Sequence, residues 1–90
     1  MTDYTRLMSA IIKKEMSIMG KDFALKVARN VPGLVIDDAG NVKSVGTKAQ
    51  LRLLVAQYKS VSGGLAVMFA KKAIEPLLSG DEDLPDELKE

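Results

Sequence analysis

Leu34-Val35-Ile36-Asp37-Asp38-Ala39-Gly40-Asn41-Val42-Lys43-Ser44-Val45 is the stretch that decides the fold class. Two short runs rich in β-branched residues flank a polar centre in which Gly40 can take the positive φ of a bulged turn. That pattern predicts a two-stranded β-hairpin. With helical periodicity on both sides of it, the expected fold class is α+β and predominantly helical: four helices, with the hairpin inserted between helix 2 and helix 3. An isolated hairpin is marginal in water, so it is expected to pack on the helices or to pair with another copy.

Upstream of the hairpin, Tyr4, Leu7, Met8, Ile11, Ile12, Ile18 and Met19 fall on one side at 100° per residue, behind Thr2 or Asp3 as a cap. Beyond Gly20 the apolar side rotates to Phe23, Ala24, Val27 and Ala28. A helix that changes its buried side at a glycine is more simply two helices, or one kinked there. The first is expected over 3–19 and the second over 21–29, ended by Asn30-Val31-Pro32-Gly33.

Downstream, Thr47-Lys48-Ala49-Gln50 matches a capping box. It opens a third helix over 48–61 that carries Leu51, Leu54, Val55, Tyr58 and Val61 on one face. Ser62-Gly63-Gly64 breaks or loosens that helix, and a fourth follows over 65–74. Its apolar arc leaves only a narrow polar strip of Lys71, Lys72 and Glu75. A helix apolar over most of its circumference belongs at the centre of a core or in an interface. Pro76 stops it, with room for a short final turn through Leu78.

Charge divides the chain. Residues 1–78 hold 12 Lys/Arg against 6 Asp/Glu, whereas residues 79–90 hold 1 against 6. The expected organisation is one small domain over 1–78 and an acidic, mobile tail over 79–90, in which Asp86–Glu90 can form one frayed turn. Such asymmetry bears on partners and solubility rather than on fold.

Composition narrows the chemistry. The chain has 90 residues, 47% of them hydrophobic and only 4% aromatic, so the core is expected to be aliphatic and Met-rich. It contains no Cys and no His, which removes disulfides, thiolate metal sites, the usual general base and the commonest metal ligand. Met1–Ala10 carries Asp3, Tyr4 and Arg6 where a secretory leader would be apolar. No run approaches the ~18 apolar residues of a membrane span. The expectation is a cytoplasmic protein with no cofactor, no bound metal and no membrane partner.

Each candidate site competes with a plainer explanation. Asp37-Asp38-Ala39-Gly40-Asn41 has a superficial likeness to a calcium loop, but Ala39 occupies a ligand position and no Glu follows before Glu75; a hairpin turn explains it better. No glycine cluster matches a phosphate loop. Asp37 and Asp38 are adjacent and diverge in a strand or turn, so no pair of acids converges on a substrate and no enzymatic activity is expected. Met8, Met16, Met19 and Met68 read as core filling.

Two function classes remain. The favoured one is a non-enzymatic protein–protein interaction or regulatory module, self-associating as a homodimer or binding a protein partner. Its expected interface is Leu65, Met68 and Phe69 on helix 4 with Val35 and Val45 on the hairpin, whose open edge invites strand addition. The alternative is nucleic-acid binding. From Ala39 to Ile74 there is no acidic residue, while Lys43 falls on the hairpin and Lys48, Arg52, Lys59, Lys71 and Lys72 fall on helices 3 and 4. Lys48, Arg52 and Lys59 form one strip, with the acidic tail as its tethered competitor.

Overall fold

The structure is a computed structural model that describes residues 2–89. Four helices, α1 (Tyr4–Met19), α2 (Lys21–Ala28), α3 (Lys48–Ser62) and α4 (Gly64–Ile74), carry the fold, followed by short 3₁₀ turns at Glu75–Leu77 and Asp86–Leu88. α1 packs against α2, α3 and α4 and so forms the central element. The Asp3 carboxylate caps α1 by accepting from the Arg6 amide at 3.0 Å. Thr47 and Gln50 make both bonds of the capping box that starts α3.

Gly20 and Gly63 separate the helix pairs by breaking the helix. At Gly20, with φ +93°, the amide still donates back to the Met16 carbonyl while its own carbonyl accepts from Ala24. Gly63, with φ +66°, does the same between Lys59 and Ala66. One residue therefore closes one helix and opens the next, in a backbone region that side chains avoid.

The expected β-hairpin is not present: among the described residues there is no strand, and the fold is helical rather than α+β. Residues 34–45 form a folded-back loop with one isolated antiparallel bridge between Ile36 and Val42. Backbone bonds within the loop are Asp37 N–H to Asn41 C=O at 3.0 Å, Gly40 N–H to Asp37 C=O at 3.2 Å and Lys43 N–H to Val35 C=O at 2.7 Å. Side chains take several others. The Val42 amide donates to Ser9 Oγ at 2.9 Å and the Gly46 amide to Thr5 Oγ1 at 2.8 Å, while the Thr5 hydroxyl donates to the Ser44 carbonyl. The Val35 amide donates to Ser44 Oγ. Backbone polar groups must be paired somewhere, and here α1 supplies partners that a second strand would otherwise have supplied. The loop lies so close to α1 that a Cβ at Gly46 would stand 2.9 Å from the Thr5 nitrogen and 2.5 Å from Met8 Cε.

The core is aliphatic: Leu7, Met8, Ile11 and Ile12 of α1 meet Leu51, Leu54 and Val55 of α3 and Ala66, Ala70 and Ile74 of α4. Leu34, Ile36 and Val42 fill it from the loop. Leu84 and Leu88 also belong to it, so the core extends past residue 78 into the acidic segment. Glu90, the last of the tail acids, lies outside the described residues.

Candidate functional site

Both tight helix connections lie at the same end of the bundle. The Tyr58 hydroxyl, near the end of α3, donates to the Ala24 carbonyl in the first turns of α2 at 2.9 Å. The Lys14 ammonium stands 5.9 Å from the centroid of the Phe69 ring, which sets the middle of α4 beside the second half of α1. Ile18 precedes Gly20 and Phe23 follows it; Val61 precedes Gly63 and Leu65 follows it. All four are large, apolar and exposed, Leu65 at 56%, and Met68 is exposed one turn further along α4. Phe69 is half-buried, with its ring face near the outer limit for a cation contact.

The interface residues expected from the sequence are divided. Leu65 and Met68 stand on the exposed side of α4. Val45 is 90% exposed, but it precedes Gly46, which lies against Tyr4 and Thr5 in the first turn of α1. α1 is ~24 Å long at 1.5 Å per residue, so Val45 and Leu65 occupy opposite ends of the molecule. Val35 is exposed on the same loop as Val45. Without a sheet there is no open strand edge at either valine for a partner strand to extend.

The basic residues are also dispersed. Lys48 pairs with Asp83 at 2.9 Å; the carboxylate holds the ammonium above its usual pKa, and Lys48 holds Asp83 below the usual carboxylate range. Arg52 and Lys59 are exposed and have no acidic partner among the described residues. Lys71 lines a cleft with Ile74, Leu84 and Leu88 on the side covered by the C-terminal segment. Lys72 is exposed on α4, and Lys43 lies on the loop, where its amide holds Val35.

The Asp37 carboxylate is fully engaged by its own turn, accepting from the Ala39 and Asn41 amides and from the Asn41 side chain. The Asn41 backbone bond is the main reason its pKa lies below the usual value. Asp38 instead pairs with Arg29 at 3.3 Å. Among the described residues no group of three or more acidic side chains is placed to hold a metal ion.

Sequence reasoning passed over Glu15. Its side chain is completely buried, and neither carboxylate oxygen has a hydrogen-bond partner. Burial raises its pKa from 4.5 to about 7. Tyr58 is pushed above its ordinary value by burial and, secondarily, by the charge of Glu15, which places the two groups near each other. The signal was present: Glu15 follows Leu7 and Ile11 at four-residue steps and falls in the middle of the apolar stripe of α1. A lone carboxyl beside a phenol already committed to Ala24 offers no second group to receive or return a proton, so catalysis does not follow from it.

No helix among the described residues is long and apolar enough to cross a membrane. No family model, curated protein or solved structure matches the chain.

Proposed function

We propose that this protein is a non-enzymatic interaction module, working in the cytoplasm, that self-associates through the end of the bundle at Gly20 and Gly63. The observation that carries this reading is the placement of Ile18, Phe23, Val61 and Leu65 beside the two helix connections, all large, apolar and exposed. Single exposed apolar residues are ordinary, but several gathered at one end and continued by Met68 form the kind of surface that soluble proteins use for association. A second copy presents the same surface, so a two-fold contact is self-complementary. The loop valines are not part of this interface.

Light scattering coupled to gel filtration over a range of concentrations tests the reading. The expected result is a concentration-dependent self-association that Leu65→Asp weakens at least tenfold while the helical circular dichroism signal is kept, whatever association persists through the other end of the bundle. A wild-type chain that remains monomeric at every accessible concentration rules the reading out.

A second reading, phosphate-backbone binding through Lys48, Arg52 and Lys59, draws support from the Lys48–Asp83 pair, which places an acid of the tail on one end of that strip. It predicts affinity for a mixed nucleic-acid pool that rises in Asp83→Asn and falls steeply with salt, by about 0.9 log unit per log unit of salt for each phosphate contacted. Salt-insensitive or absent binding in both forms excludes it.

A further inference from the structure

The C-terminal segment is held the way a bound peptide is held. Asp83 is its fixed point: the Tyr4 hydroxyl donates to the Asp83 carbonyl at 2.7 Å, the Asp83 amide donates to the Thr2 hydroxyl at 2.8 Å, and the carboxylate meets the Lys48 ammonium at 2.9 Å. Immediately beyond it Leu84, Pro85 and Leu88 turn inward and are buried. The receiving surface is built by the start of α1, the first residue of α3 and the end of α4. It offers an apolar floor, a pair of side chains reading one backbone unit, and one cation. Grooves that recognise short extended peptides combine these elements.

The connector has a different character. Ser79, Gly80 and Asp81 are exposed, and their hydrogen bonds are local: the Glu82 carboxylate accepts from the Ser79 and Gly80 amides, and the Ser79 hydroxyl donates to Asp81. None of these bonds ties the connector to the four helices, which is what a hinge for the segment requires. Leaving bares the apolar floor around Ile74, which then needs another cover.

We propose that this groove is a binding site for the C-terminal segment of a second copy, and that two chains exchange the segments following Gly80 reciprocally. Every group that holds the segment within one chain is offered identically by a second, so exchange forms the same contacts between copies. Charge complementarity favours the encounter, because residues 79–90 hold 1 Lys/Arg against 6 Asp/Glu and residues 1–78 hold 12 against 6. The groove lies at the opposite end from Leu65 and does not depend on association through that end.

Two charge-reversal variants of the full chain test the exchange, both carrying Leu65→Asp so that end-to-end association is absent. Lys48→Glu alone sets two acids against each other within one chain, and Asp83→Lys alone sets two lysines against each other. Only when the two variants are mixed and exchange segments do both opposite-charge pairs re-form, one in each groove. The expected result, read by native mass spectrometry and light scattering, is a 1:1 complex whose apparent affinity exceeds that of either variant with itself by about tenfold or more. Both positions are at the surface, and circular dichroism checks that each variant is folded. Folded variants whose mixture behaves as the sum of its parts overturn the proposal, as does equal association of each variant alone.

Discussion

Lys48 and Asp83, 35 residues apart, meet at 2.9 Å and tie the first residue of α3 to the C-terminal segment. The pair is at the surface, with side-chain exposures of 36% and 67%, so it sets register rather than supplying most of the holding energy. The apolar residues behind it do that: Leu84 and Leu88 are buried to 8% and 3% exposure. Truncating Leu88 to Ala removes buried methyl groups and leaves a cavity against Ile74 and Leu78, at a cost of roughly 2 kcal/mol or more. Urea denaturation is expected to show a clear drop in midpoint for Leu88→Ala and a much smaller one for Lys48→Ala. Equal drops would mean that charge, not burial, fixes the segment.

Glu15 makes stability depend on pH in a definite direction. Its pKa in the folded chain, about 7, lies above its ordinary value of 4.5, so the folded state holds the proton more tightly than the unfolded state. Below about pH 4.5 both states are protonated and the contribution is fully present. It is lost as pH rises through about 7, by roughly 3 kcal/mol in total from the 1.36 kcal/mol per unit of pKa difference. Urea midpoints measured between pH 5 and 8 are therefore expected to fall with rising pH in the wild type, and to stay nearly level in Glu15→Gln. Glu15→Met, which removes the buried acid altogether, is expected to be more stable than the wild type at pH 8. A wild-type chain with a flat profile over this range would show that water or another group reaches the carboxylate.

The helices were legible because each has an apolar period, interrupted on α1 by Glu15, and a chemically distinct end: Asp3 at one start, Thr47 with Gln50 at another, and glycine at two stops. The loop was misread for a physical reason. Its residues have β propensity, and β propensity describes a side chain's fit to a half-buried surface rather than a commitment to pairing. α1 provides that surface, and Ser9 and Thr5 take backbone groups that a ladder would have used. Those two hydroxyls lie more than thirty residues upstream, where no local pattern signals them. Leu84 and Leu88, four residues apart, were visible as an apolar pair, but the acids around them argued for a solvated tail. Likewise the exposed end at Ile18, Phe23, Val61 and Leu65 needed the tertiary arrangement, because its members come from four different helices.

Gly46 and Gly64 contrast a glycine that close packing requires with one that it does not. A Cβ at Gly46 would stand 2.9 Å from the Thr5 nitrogen and 3.1 Å from the Tyr4 carbonyl carbon. Both are backbone atoms of α1 and cannot swing aside, although the nearer Met8 methyl can. Gly46→Ala must push the loop off α1, stretching the Gly46–Thr5 and Val42–Ser9 hydrogen bonds together, and is expected to cost about 1–3 kcal/mol. At Gly64, the first residue of α4, a Cβ would meet nothing within 4 Å, and φ is not positive. Gly64→Ala restricts the unfolded chain and suits the helix, so it is expected to stabilise by about 0.5–1 kcal/mol. Thermal melts of the two single variants should move in opposite directions from the wild type. A Gly46→Ala chain as stable as the wild type would show that the loop can ride higher on α1 without loss, and that the bonds to Ser9 and Thr5 do not hold it in place.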